Sequence, residues 1–286
     1  MPVDFVAEVS SNHNRNLERC LEFVNKAAEI GCSAVKFQLF KIAELFAPKV
    51  LAGSDQHRRR VAWELPVEFL PEIAKACQAA RMQFSCTPFY LEAVHLLQPL
   101  VDFFKISSYE LMWNDLLIEC AMTLKPVVLS TGMANTNEIR RAVETLRVAG
   151  CEKLTLFHCV SGYPAPANEA NLAAIQSLRN EFGVQVGWSD HTGSPAVIYR
   201  AVHHWGASMV EFHLDLEGSG AEYETGHCWL PEQIRPVIDT VKLGFAADGA
   251  AEKAPSPSEL RDRDWRADPE DGLRPLKEIR SRLALV

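Results

Sequence analysis

Two lysines, a series of hydroxyl residues and two histidines stand out because each closes a short apolar run. Lys36 and Lys105 end two such runs, and Thr87, Ser107, Ser108, Ser130 and Ser189 end others. Two ammonium groups with several hydroxyl donors suit an oxygen-rich anion, a phosphate or a carboxylate. One lysine alone in such a place ordinarily snorkels or forms a salt bridge. Two in the same register, with hydroxyls between them, favour a binding site. His191 in Gly187-Trp188-Ser189-Asp190-His191-Thr192 and His213 in Glu211-Phe212-His213 end two further runs. Paired imidazoles suit Mn, Fe, Co or Zn, with Asp190, Asp215, Glu211, Glu222 and Glu224 as candidate oxygen ligands. Hydrogen bonding in a rim explains either histidine as well. His13, His158 and His227 are further site candidates, whereas His57, His95, His203 and His204 read as surface or helix positions. Glu8 is the sole acid of an apolar first run. A carboxyl held there has a raised pKa and serves as general acid or base. An ion pair with Lys36 is the alternative, and the two are compatible.

The elements that must position these groups are eight β-rich runs: residues 5–9, 34–38, 83–87, 103–107, 127–130, 154–159, 184–189 and 209–214. Helix patterns follow them. Leu17, Cys20, Leu21, Val24, Ala27 and Ala28 fall on one helix face, as do Ile139, Ala142, Val143 and Leu146, after Asn135 or Asn137 as caps. Strands alternating with helices imply a parallel sheet, and eight strands close a (β/α)8 TIM barrel. An open doubly wound sheet is the alternative, but it usually carries a Gly-rich phosphate turn after its first strand. Here Ser10-Ser11-Asn12-His13-Asn14 stands in that place. The barrel is expected over residues 1–250. A short charged C-terminal extension over 251–286 is expected to pack on it as a polar arm. Residues 41–65 read as a long polar insertion after the second strand, on the face where barrels carry their chemistry.

With 286 residues, 48% hydrophobic and 23% charged, the chain is neither disordered nor a small disulfide scaffold. It has 29 Lys+Arg against 37 Asp+Glu, and its longest basic run is Arg58-Arg59-Arg60, which argues against a nucleic-acid groove. No apolar run approaches the roughly 18 residues of a membrane span. The start, Met1-Pro2-Val3-Asp4, lacks the basic region of a signal peptide. Eight cysteines at wide, uneven spacings read as reduced and partly buried. A cytoplasmic protein is expected, without membrane or nucleic-acid partners.

The motifs, taken in order, resemble the sialic acid synthase family, which condenses phosphoenolpyruvate with an N-acetylated amino sugar. The matching stretches are Ala7-Glu8-Val9, Asn12-His13-Asn14, Val35-Lys36-Phe37-Gln38, Cys86-Thr87-Pro88-Phe89 and Phe104-Lys105-Ile106-Ser107-Ser108. They continue with Leu129-Ser130-Thr131-Gly132-Met133, His158-Cys159-Val160-Ser161-Gly162-Tyr163-Pro164, Ser189-Asp190-His191-Thr192 and Glu211-Phe212-His213. The resemblance implies that Lys105, Thr87, Ser108, Ser130, Ser161 and Ser189 hold the phosphate of phosphoenolpyruvate. Lys36 contacts its carboxylate side, and Glu8 is the acid/base near the enol carbon. His191 and His213 bind a divalent ion, manganese first, with magnesium or cobalt as alternatives. Gln38, Glu110, Tyr163 and Glu222 line the site of the acceptor, an aldose such as N-acetylmannosamine or a related amino sugar. The product is a nonulosonic or related 3-deoxy ulosonic acid, and a homodimer is implied.

The chain departs from the family pattern in three places. Only the charged tail is expected after the barrel in place of the family's C-terminal antifreeze-like domain and its acceptor-contacting arginine, with Arg261, Arg263 or Arg266 as candidate substitutes. Arg15 stands where a glycine is usual, and the usual Gly-Pro-Asp reads Gly220-Ala221-Glu222. The alternatives to a synthase are a metal-dependent aldolase or isomerase on the same barrel, or a catalytically inactive binding subunit.

Overall fold

A computed structural model describes residues 3–283. Met1, Pro2 and residues 284–286, which the readings of the two termini include, lie outside the described residues. Among the described residues, eight parallel strands close a barrel in chain order, and the last pairs with the first. They are β1 (Asp4–Glu8), β2 (Ala34–Leu39), β3 (Gln83–Pro88), β4 (Phe103–Ile106), β5 (Val127–Ser130), β6 (Leu154–Cys159), β7 (Gln185–Asp190) and β8 (Met209–His213). Every strand begins and ends within one residue of its expected run.

The two-residue period of a strand explains how one barrel holds both a core and a polar site. Val6, Ala34, Phe103, Val128 and Phe157 form their own buried cluster, with Met209 packed against it. Two residues further along the same strands stand Glu8, Lys36, Lys105, Ser130, Cys159 and Glu211. Residues two apart share a strand face, so the interior turns from apolar to polar in one step. The intervening residues, including Phe5, Ala7, Val35, Phe37, Phe104, Ile106, Val210 and Phe212, belong to a larger cluster packed with the helices.

The helices follow their sequence signals. The helix Leu17–Glu29 is capped by Asn16 and buries Cys20, Phe23, Val24 and Ala27. The helix Thr136–Val148 is capped by Asn135, with Glu138 completing a reciprocal capping box. The 41–65 insertion folds into short helices, Ile42–Leu45, Pro48–Gly53 and Asp55–Arg59, and a 3-10 turn, Arg60–Trp63. None of the eight cysteines is bonded to another, and seven are buried. No described helix is long and apolar enough to cross a membrane.

The chain divides into two compact units, one ending at Phe245 and the other beginning at Ala246. Within the second, the helix Lys277–Leu283 starts where the Lys277 amide donates to the Asp268 carboxylate at 2.8 Å. Arg280 of this helix pairs with Asp271 at 2.7 Å.

Candidate active site

The C-terminal ends of the strands open into a cavity of about 530 Å³, within the range of small-molecule sites. Lys36, Gln38, Thr87, Lys105, Ser108, Glu110, Ser130, Tyr163, Ser189, His191, His213 and Glu222 all line it. Glu8 and Ser161, the other two residues to which the resemblance gives a role, are not among its lining residues.

The floor is a buried ionic chain. Lys105 Nζ lies 3.0 Å from Glu211 Oε1, and Glu211 Oε2 lies 3.8 Å from Lys36 Nζ. Lys36 also pairs with Glu8 and donates to Thr87 Oγ1 at 3.2 Å. Gln38 Nε2 donates to Glu8 Oε1 at 2.7 Å and to Ser10 Oγ at 3.1 Å. Ser10 in turn donates to Glu222, which meets His213 Nδ1 at 3.0 Å. Parallel register sets much of this, since Glu8 pairs across the ladder with both Lys36 and His213, and Ser189 with Glu211.

The pairing decides the charges. Burial pushes the Lys36 ammonium down, but the carboxylates of Glu211 and Glu8 outweigh it and hold its pKa above the usual lysine range. For Lys105 burial wins, opposed by Glu211 and reinforced by the neighbouring Lys36, so its pKa falls. Burial works against charge on Glu211, yet Lys105 and Lys36 outweigh it and its pKa is lowered. Two lysines therefore face the cavity with two carboxylates already beside them. The ion pair that was the alternative for Glu8 is present.

Hydroxyls stand above this floor. Ser108 Oγ accepts from the Gly132 amide at 2.9 Å and touches Cys159 Sγ at 3.3 Å. A Cβ on Gly132 would sit 2.3 Å from Ser161 Oγ and 2.8 Å from Ser108 Oγ, so only glycine lets these hydroxyls converge. Ser161 Oγ is buried and finds no hydrogen-bond partner among the described residues. Glu110 opens the neighbouring loop, where burial pushes its pKa up to about 7 against a hydrogen bond from Ser107 and the pull of Lys105.

His191 directly follows β7, and His213 is the last residue of β8. His191 Nδ1 bonds the Val160 carbonyl at 2.7 Å, a contact that requires Nδ1–H to donate and leaves Nε2 with a free lone pair. Burial and the neighbouring His213 push the His191 pKa down to about 3. Burial works against charge on Glu222, but the His213 contact and the Ser10 hydrogen bond outweigh it and hold its pKa near 2. Tyr163 lies over the group, its ring centre 4.3 Å from that of His191 and 6.0 Å from that of His213. Two imidazoles and a carboxylate on one cavity wall fit a divalent cation by donor type.

The other oxygen ligands considered are engaged elsewhere. Asp190 accepts from Trp188 Nε1 at 3.1 Å, Trp229 Nε1 at 3.2 Å and Thr192 Oγ1 at 2.7 Å. It anchors the loop that carries His191. Asp215 accepts from Arg19 at 2.8 Å and from the amides of Gly218 and Gly220. Glu211 serves the lysines, and Glu224 is exposed. His158 bonds the Ala170 carbonyl at 2.8 Å and is structural. His13 Nδ1 accepts from the Arg15 amide at 2.9 Å. Arg15 has φ 52°, the left-handed region that favours glycine. Its guanidinium donates to the Val61 carbonyl of the insertion at 2.8 Å, a contact glycine lacks.

Sequence reading missed part of the wall. Phe46, Arg60 and Trp63 of the insertion line the cavity, with the Arg60 guanidinium 5.7 Å from the Phe46 ring and 5.3 Å from the Trp63 ring. The signal was an arginine flanked by aromatics inside a stretch otherwise read as polar. Ser10 and Asn12 were also missed. Asn12 Oδ1 accepts from the Glu222 amide at 2.8 Å and ties the first loop to the last.

Comparison with known proteins adds the following. The NeuB family model matches residues 23–253. The N,N'-diacetyllegionaminic acid synthase of Campylobacter jejuni is 33% identical over 90% of this chain and 80% of its own length. The pseudaminic acid synthase of Helicobacter pylori is 30% identical over 92% of this chain and 80% of its own. The N-acetylneuraminic acid (sialic acid) synthetase of Leptospira borgpetersenii, solved in complex with citrate, superposes with a TM-score of 0.80 at 27% identity. That match covers 92% of this chain and 90% of the solved one.

Proposed function

Because this chain belongs to the NeuB family, we propose that it condenses phosphoenolpyruvate with the open-chain aldehyde of an N-acetylated amino sugar. The products are a nonulosonic acid and inorganic phosphate. One observation carries the reading: strands β2 to β5 and the loops after them bring Lys36, Thr87, Lys105, Ser108 and Ser130 to the cavity that His191 enters just after β7 and His213 at the end of β8. An anion site and an electrophile site thus share about 530 Å³.

In the reaction, C3 of the enol attacks the aldehyde carbon and forms the new carbon–carbon bond. The aldehyde oxygen takes a proton and becomes a hydroxyl. Water adds at C2, and the resulting tetrahedral carbon expels phosphate to leave a 2-keto acid. Lys105, Thr87, Ser108, Ser130, Ser161 and Ser189 hold the phosphate, and Lys36 the carboxylate side. The unpartnered Ser161 Oγ fits this role, since a buried hydroxyl gains most from an acceptor it otherwise lacks. Glu8, hydrogen-bonded to Gln38 and paired with Lys36, is assigned the proton exchange near the enol carbon.

His191, His213 and Glu222 would hold a divalent cation, with manganese the first candidate and magnesium or cobalt behind it. When bound, it supplies Lewis acidity for the aldehyde or the attacking water. The acceptor lies against Gln38, Glu110, Tyr163 and Glu222. The wall of Phe46, Trp63 and Arg60 suits a sugar that carries both apolar faces and an amide.

The test is release of inorganic phosphate from phosphoenolpyruvate with Mn²⁺ across N-acetylhexosamines, diacetamido-trideoxy sugars and plain aldoses. Acceptor-dependent release that EDTA abolishes supports the reading. Pyruvate formation without acceptor, or no turnover with any acceptor despite phosphoenolpyruvate binding, contradicts it.

A further inference from the structure

The segment after β8 brings a third imidazole to the cavity. A 3-10 turn, Tyr223–Thr225, ends at Gly226, whose φ of 85° turns the chain back toward the barrel. His227 follows and is buried. Trp229 then pins the segment beside β8: its amide donates to the His213 carbonyl at 2.8 Å, and its carbonyl accepts from the Asp215 amide at 2.9 Å.

The hydrogen bonds of His227 define its tautomer. Thr225 Oγ1 donates to the Glu222 carbonyl, so toward His227 Nδ1, 2.6 Å away, it acts as acceptor. Nδ1 therefore carries the proton, and Nε2 keeps its lone pair. His227 belongs to a group with His213, Glu222 and Cys228 in which one ligand atom of each lies within 4.8 Å of the others. His227 Nε2 lies 3.8 Å from Glu222 Oε2 and 3.9 Å from Cys228 Sγ, both beyond a strong hydrogen bond. Nδ1–H tied to an outer partner with Nε2 free is the arrangement of a metal-bound histidine. His191 shows the same arrangement through Val160.

The ring spacings agree. With metal–nitrogen bonds of about 2.1 Å, ring centres sharing an ion lie about 4.5 Å apart at right angles and about 5.2 Å apart at the tetrahedral angle. His213 and His227 are 4.5 Å apart, and His191 and His213 are 5.4 Å apart. The His191–His227 spacing of 6.2 Å is wider than either value.

We propose that His227 is a third imidazole ligand of the divalent cation held by His191 and His213. The inference rests on the metal reading given above and deepens it. Three imidazoles with one carboxylate form a nitrogen-rich donor set that favours a transition-metal ion over magnesium by ligand type. Cys228 is not assigned as a ligand, because its Sγ already accepts from Asn12 Nδ2 at 3.7 Å.

The test is titration of the metal-free full chain with Co²⁺, read by its visible ligand-field absorption and by competition with a chromogenic chelator. Wild type, His227→Ala, His227→Gln and His213→Ala are compared, with near-ultraviolet circular dichroism as the check on folding. Wild type is expected to bind one Co²⁺ per chain. Both His227 variants should lose more than about 100-fold in affinity, beyond the 10–100-fold typical of losing an outer partner, and their visible bands should change. Wild-type affinity and an unchanged spectrum in folded His227→Gln would overturn the inference while leaving the metal reading intact. A strong near-ultraviolet thiolate charge-transfer band in wild type would assign the place to Cys228 and overturn it as well. Failure of wild type to bind Co²⁺ would overturn both.

Discussion

Glu211 is a buried carboxyl and Glu110 a half-buried one, and their surroundings drive them in opposite directions. Glu211 has two ammonium groups within reach and is held ionised. Glu110 has burial as its largest influence and titrates near 7. Its folded pKa is raised, so its stabilising contribution is present below the unfolded value near 4.5 and is lost as pH rises through about 7. Glu110→Gln should therefore leave thermal stability unchanged at pH 4.5 and raise it at pH 8.5. A shift of this size is worth roughly 3 kcal/mol in a dry site, and water at the half-buried carboxyl reduces the gain to about 1–2 kcal/mol. Melting curves of both proteins across this range give the answer, and an equal difference at every pH would refute it. Glu211→Gln does the reverse, leaving two buried ammonium groups with only the Glu8 carboxylate beside them. A loss of about 3–5 kcal/mol is expected in urea unfolding, the cost of breaking a buried pair. These pairings were only half legible in sequence. The two-residue step placed Glu8, Lys36, Lys105 and Glu211 near strand ends, but which acid meets which lysine depends on how eight strands close, and no local pattern encodes that.

At the scale of elements, the strands were the most legible feature, because each is a short β-branched or aromatic run bounded by breakers. Gly187 shows what a pattern of residue types does not reveal. A Cβ there would lie 2.5 Å from Phe157 Cε1 and 2.6 Å from the Met209 carbonyl. The ring can shift, but the carbonyl belongs to β8 and cannot. Gly187→Ala should cost at least about 1–3 kcal/mol, as overpacking does, and calorimetry should show a lowered melting temperature. Unchanged stability would mean the barrel relaxes more freely than its packing implies. The insertion after β2 was the least legible element. It read as a long polar insertion on the active face, whereas Ile42, Leu45, Phe46 and Trp63 within it line the cavity. Helices this short bury too few residues for a periodic signal to register.

At the scale of the whole molecule, fold and chemistry come from one pattern. Apolar residues fill one end of the barrel interior, and their neighbours two positions on carry the charges. Strand order and register then bring residues from every part of the first 230 positions to one cavity. The central claim is that this cavity joins the enol carbon of phosphoenolpyruvate to an aldehyde. The most direct measurement is carbon NMR of a reaction containing phosphoenolpyruvate labelled with ¹³C at C3, an N-acetylated amino sugar and Mn²⁺. The account predicts that the label moves into a methylene carbon bonded to the former aldehyde carbon, with one phosphate released per product. Label found in the methyl group of pyruvate, or left in phosphoenolpyruvate with every acceptor, would contradict it.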